Sequence, residues 1–139
     1  MAGLITAGSS SQAYKLKSLI ADDGDVFLGD HKPLPSVKLP GICFIKIPSS
    51  ASLSFAHELL TLCLDNGITM VYPLCYQEIR LLAESKQLFS EYGITVFTPE
   101  ASVLHKFETT QEGNPVIRDV QPCGIFSESA DSLKIYIAY

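Results

Sequence analysis

The sequence predicts a doubly wound α/β chain, on two observations. Short apolar runs alternate with stretches of helical period, and each run closes on glycine, proline or a cluster of small polar residues. Strand-plus-helix units that follow one another in this way call for right-handed crossovers, which set helices on both faces of a mainly parallel sheet. The expected architecture is a three-layer αβα arrangement with strand order 3-2-1-4-5, followed by a C-terminal β-hairpin at a sheet edge.

The opening unit sets the pattern. Gly3, Leu4, Ile5, Thr6 and Ala7 make an apolar run, Gly8-Ser9-Ser10-Ser11-Gln12 a turn, the residues up to Ile20 a helix, and a second apolar run ends at Asp30. Pro33, Pro35 and Pro40 then mark a surface connection, because each proline removes a backbone donor and fixes φ. Ile42-Cys43-Phe44-Ile45-Lys46-Ile47, closed by Pro48, has the nearly continuous apolar character of a strand buried on both faces.

From residue 53 to 65 the period is helical. Phe55, Ala56, Leu59, Leu60, Leu62, Cys63 and Leu64 fill one broad arc, while Ser54, His57, Glu58, Thr61 and Asp65 face away, and Gly67 ends the helix. Ser49, Ser50 and Ser52 read as its capping residues. Residues 68–73 form a fourth strand, and one helix from 76 to 92 carries a stripe of Leu81, Leu82, Leu88, Phe89 and Tyr92. Residues 94–97 make a fifth strand, 100–107 a short helix and 109–115 a polar loop. Short β segments follow at 116–120, 124–126 and 133–139, the last alternating Leu133, Ile135 and Ile137 with Lys134, Tyr136 and Ala138. The whole reads as one domain, with an α/β core over 1–107 and a β extension over 108–139.

The length of 139 residues suits one domain, which at this size buries roughly two-thirds of its unfolded surface. Hydrophobic residues make up 47% and the mean hydropathy is +0.23, yet no apolar run approaches the ~20 residues of a membrane span. The first residues lack the basic flank and long apolar core of a secretory signal, so a cytoplasmic location is expected. A net charge of −5, with ten scattered basic residues, argues against nucleic acid or an anionic membrane as partner. The four cysteines show no CxxC spacing. Cys43 and Cys63 lie in apolar segments, where the thiol behaves as a small hydrophobe, and disulfides are not expected.

In an open α/β sheet, ligands bind outside the carboxyl ends of the strands where strand order reverses, here between the turns after strands 1 and 4. Gly8, Ser9, Ser10, Ser11 and Gln12 offer backbone, hydroxyls and a helix N-terminus suited to phosphate or carboxylate. Asp30 stands near the ~20-residue offset of a ribose-binding acid. The fingerprint is incomplete, because Ser10 and Ala13 occupy its second and third glycine positions, and the second glycine lets backbone approach a pyrophosphate. Two readings stay open: a small NAD(P)-binding oxidoreductase, or a tight turn closed by a hydroxyl cap. Asp30-His31 is either a ligand contact or a capped turn.

Cys75 lies near a helix N-terminus that would stabilise a thiolate, but the sequence pairs it with no base. His31, His57 and His105 lack metal-ligand spacing, and there is no Walker loop or GxSxG elbow. No catalytic residue, metal or cofactor is assigned. A third reading pairs the apolar segment 133–139 with a second copy, giving a homodimer through exposed strand edges.

Several segments carry a family likeness. Leu4-Ile5-Thr6-Ala7-Gly8 with its serines, Val26-Phe27-Leu28-Gly29-Asp30, Gly67-Ile68-Thr69-Met70-Val71-Tyr72-Pro73, Leu81-Leu82-Ala83-Glu84-Ser85-Lys86 and Tyr92-Gly93-Ile94-Thr95-Val96-Phe97-Thr98-Pro99-Glu100 resemble the N-terminal, pre-ATP-grasp domain of ATP-grasp carboxylate-amine ligases. The likeness is to carbamoyl-phosphate-synthase-like members, covers about residues 3–107, and ends at His105-Lys106-Phe107, where that family starts its linker. It implies a Rossmann-like domain that forms one wall of a substrate site, with Gly8, Ser9, Ser10, Asp30, Pro73 and Glu78 lining it. The residues after Phe107 are too few for an ATP-grasp domain. The resemblance therefore implies a stand-alone, non-catalytic module that binds a small carboxylate or amino acid and partners a separate ATP-grasp subunit.

Overall fold

The structure, a computed structural model, describes residues 2–20, 25–31, 42–129 and 132–139. Strands β1 (Ala2–Ile5), β2 (Asp25–Asp30), β3 (Ile42–Lys46), β4 (Ile68–Tyr72) and β5 (Thr95–Val96) form an all-parallel sheet in the order β3-β2-β1-β4-β5. This is the predicted order. The central strand β1 is apolar along its length and buried on both faces: Leu4 and Ile5 point in opposite directions and neither is exposed.

Helix α1 (Ser11–Ile20) covers one face, with Ala13, Leu16 and Ile20 among Ile5, Val26, Leu28 and Tyr72. The other face is covered by α2 (Phe55–Asn66), α3 (Tyr76–Glu84) and α4 (Lys86–Glu91), whose Leu59, Cys63, Leu82 and Phe89 pack on Leu4, Val71 and Val96. Burying one such leucine stabilises the fold by ~2 kcal/mol. Gly67 takes the left-handed conformation that closes α2, at φ +67°, and its N–H donates to Cys63 O.

Several expectations are corrected. The single helix over 76–92 is two helices broken at Ser85, whose N–H bonds back to Leu82 O. Tyr92 falls at the end of α4 and is exposed, as is Leu64 of α2, which turns away from the buried arc. Strand β3 is not buried on both faces: as the outermost strand it lies beyond full helical cover, leaving Cys43 exposed and Phe44 and Ile45 only half-buried. Residues 100–107 make turns and a 3-10 turn at Leu104–Lys106 rather than a helix. Ser49 and Ser52 accept from Ala51 N–H and Ser54 N–H in local turns, and Ser54, the residue before α2, makes no side-chain cap. The proline-rich connection lies outside the described residues.

The largest correction concerns the last third of the chain. Strands β6 (Thr109–Thr110), β7 (Pro115–Arg118), β8 (Gly124–Ser129) and β9 (Ser132–Tyr136) form a separate mixed sheet, in the order β6-β9-β8-β7. The antiparallel β8–β9 hairpin is present, but β9 is interior: it pairs with β8 on one side and runs parallel to β6 on the other. Its alternation reflects two buried faces. Tyr136 and Ala138 enter the cluster on the α1 side, while Ile135 and Ile137 pack with Ile79 and Ala83 of α3. The exposed apolar edge expected to pair with a second copy is therefore not present in β9.

Beyond β9 the chain crosses the carboxyl ends of the first sheet. Ala138 N–H donates to Leu74 O at 2.6 Å, and Tyr76 N–H donates to Tyr139 O at 2.9 Å. Gln111 Nε2 donates to Ala138 O at 2.9 Å.

Candidate functional site

Strand register brings the site together. Ile5 is level with Leu28 on one side and Tyr72 on the other, so Thr6, Asp30 and the residues after Tyr72 leave the sheet at the same end. Strand order reverses between β1 and β4, which makes this the crevice of a doubly wound sheet.

The β1–α1 turn is built by close contact. Ala7 has φ +52°, a left-handed conformation that costs a non-glycine residue ~1 kcal/mol. Gly8 follows it against the β2 backbone, its N–H donating to Gly29 O at 2.9 Å. A Cβ there would lie 2.7 Å from the Leu28 carbonyl carbon. Ser10 caps α1: its Oγ accepts from Ala13 N–H at 3.1 Å and donates to Ala7 O at 2.6 Å. Ser11 is exposed and donates to Gln12 Oε1 at 3.3 Å, and Gln12 Nε2 donates to Gln111 O at 3.2 Å. Ser9 Oγ alone of the three serines reaches inward, donating to Asp30 Oδ2 at 2.9 Å.

Asp30 ends β2 with no exposed surface. Besides Ser9 it accepts from Tyr139 Oη, at 3.0 Å on Oδ1, and His31 Nδ1 stands 3.5 Å from the same oxygen. Burial raises the Tyr139 phenol well above its usual range, and its hydrogen bond to Asp30 and the Asp30 and Glu78 charges add to the rise. A dinucleotide ribose bound at Asp30 would have to replace both hydroxyl donors.

Across the crevice, Thr6 joins β1 to the β4–α3 turn, its Oγ1 accepting from Leu74 N–H at 2.8 Å. Pro73 is buried beside it. Glu78, in the first turn of α3, has no exposed surface, and neither carboxyl oxygen has a hydrogen-bond partner. Burial raises this carboxyl to about 7 and the Asp30 charge adds to the rise. The Thr6 hydroxyl and Cys75 thiol lie near enough to oppose it without reaching hydrogen-bond geometry.

Burial also raises the Cys75 thiol. The Glu78 and Gln77 N–H groups pull it down, and the Glu78 carboxylate pushes it up. A thiolate beside the buried Glu78 carboxylate is disfavoured, which opposes the pull of the helix N-terminus on Cys75. Among the described residues no three His, Cys, Asp or Glu side chains are grouped to hold a metal ion, and no helix is long and apolar enough to cross a membrane.

Of the residues singled out in the sequence, Asp30, Glu78 and Ser9 meet in or at the edge of the crevice. Pro73 forms part of its wall, Gly8 and Ser10 shape the turn, and Ser11 and Gln12 lie outside. Thr6 and Tyr139 are the members that sequence reading misses. Thr6 sits inside an apolar run, and Tyr139 is 109 positions from the carboxylate it binds. No family model matches the chain, and no curated protein matches it.

Proposed function

We propose that this chain is a non-catalytic, pre-ATP-grasp-like module of the cytoplasm that holds a small ligand at the carboxyl ends of β1, β2 and β4 and works beside an ATP-grasp subunit. One observation carries the reading: two fully buried carboxylates, from β2 and α3, face the reversal point of a parallel sheet, and one of them has no partner. A buried, unpartnered carboxyl costs the fold several kcal/mol, on the order of 2 or more, and such groups concentrate where a ligand is received. The raised Cys75 thiol supports binding over covalent chemistry.

Two measurements test the reading. The chain alone should release no phosphate from ATP, and sustained turnover would remove the non-catalytic assignment. Titration with amino acids, followed by NMR, should shift Thr6, Asp30 and Glu78. Shifts confined to the exposed Ser11–Gln12 end would move the site elsewhere. Co-elution with an ATP-grasp subunit on gel filtration tests the partnership.

A further inference from the structure

We propose that the crevice is specific for a small organic cation with a primary ammonium head, which sits between Glu78 and Asp30 beneath a strap formed by residues 137–139. This deepens the small-ligand reading and rests on it. The two carboxylates differ in what they receive. Asp30 accepts hydroxyl donors on both oxygens, from Ser9 at 2.9 Å and Tyr139 at 3.0 Å. Glu78 receives nothing, although it is equally buried.

An acceptor pair with no donor calls for a ligand that brings donors, and two carboxylates acting on one another oppose any anion. An ammonium group brings three donors and a positive charge. Pairing with that charge offsets the desolvation that an isolated buried carboxylate suffers. A metal ion fits less well, because no third acidic or nitrogen ligand joins the pair among the described residues. Among the described residues, the groups facing Glu78 are Thr6 from β1, Asp30 from β2, Cys75 ahead of α3 and Tyr139 from the strap, and none of these four supplies a cation. His31, half-buried, stands on the far side, toward Asp30.

The strap fixes the way in. It is held by Ala138 N–H on Leu74 O, by Tyr76 N–H on Tyr139 O, and by Tyr139 Oη on Asp30. The ligand enters as the Tyr139 hydroxyl leaves Asp30, so strap and ligand compete for one carboxylate.

The experiment titrates the 139-residue chain with ethylammonium chloride, sodium propionate and calcium chloride, each at millimolar concentration, from pH 8 to pH 6. Ethylammonium should bind at pH 8. Its affinity should weaken by about tenfold for each pH unit below the Glu78 value of about 7, with one proton released per ligand at pH 6. Glu78→Gln should abolish binding, and Tyr139→Phe, which loosens the strap, should tighten it by about fivefold. Binding of propionate but not ethylammonium would overturn the cation assignment and leave the small-ligand reading standing. Binding of none of the three would overturn both. Ethylammonium binding that is unchanged in Glu78→Gln, or that is independent of pH, would overturn the site, as would preferential binding of calcium. The pH profile and Tyr139→Phe keep the test decisive if Glu78→Gln does not fold.

Discussion

The two ends of the crevice solve the same problem in opposite ways. On the β2 side, a buried carboxylate is surrounded by hydroxyl donors brought from the β1–α1 turn and from residue 139. On the α3 side, a carboxylate with equally little exposed surface sits above Thr6 and Cys75 with both oxygens unpartnered. Burial is the same at the two places, so burial alone does not decide what a carboxylate does. The supply of donors decides. Asp30 is part of the construction, since it fastens the β1–α1 turn and the strap to the sheet, whereas Glu78 contributes nothing to the fold that an apolar residue would not contribute better.

The sharpest way to break this contrast is to remove the Glu78 carboxyl. Its folded-state value of about 7 lies above the unfolded value of 4.5, so the folded chain binds the extra proton between those limits. Stability from this group is present below about pH 4.5, falls as pH rises toward 7, and is gone above it. The total change is about 3 kcal/mol. Urea unfolding of the parent chain between pH 4 and 8 should show that decline, and Glu78→Gln should flatten it and be the more stable protein at pH 8. A parent curve with no slope in this window would mean that Glu78 is solvated or paired.

Tyr139→Phe tests the other side. It removes a donor to a buried carboxylate and should cost about 2 kcal/mol, more than a neutral pair would. The loss should be local as well as global. Amide exchange at Ala138 and Tyr76, the two strap donors, should quicken more than exchange at Leu4 or Val71 in the sheet core. Uniform quickening would mean that the strap is no separate unit.

The parallel sheet is legible in the sequence because its logic is local. Apolar runs closed by turn residues fix strands, helical stripes fix faces, and crossover handedness then leaves the order 3-2-1-4-5. The second sheet is less legible. Thr109–Thr110 is a two-residue strand inside a stretch of polar composition, and it pairs with β9 only because distant segments meet. The same reason hides half of the site. Asp30 and the serines lie close together in sequence and suggest one another, whereas Tyr139 reaches Asp30 from the far end of the chain. Glu78 carries a different difficulty, since an acidic residue in the first turn of a helix ordinarily marks a favourable dipole contact at the surface. Its burial follows from the neighbouring Ile79, Leu82 and Ala83, and from residues 137–139 closing over that end of α3.

The smallest expected effect separates the turn's architecture from its inward-facing donor. Ser10 and Ser9 are adjacent and chemically identical, yet Ser10 Oγ serves α1, through Ala13 N–H and Ala7 O, while Ser9 Oγ serves Asp30. Ser10→Ala removes a helix cap and should lower stability by about 1 kcal/mol, or about 3 °C in Tm for a chain of this size. Ala7, held at φ +52°, also loses the hydroxyl that braces its carbonyl, so the destabilisation should be centred on the turn. Exchange of the Ala13 amide should quicken by about fivefold, the factor that corresponds to roughly 1 kcal/mol. The decline of stability with pH set by Glu78 should keep its upper limit near 7, because Ser10 touches neither carboxylate. A shift of that limit in Ser10→Ala would show the turn and the crevice to be one coupled unit, and the division between a constructional side and a receiving side would fall.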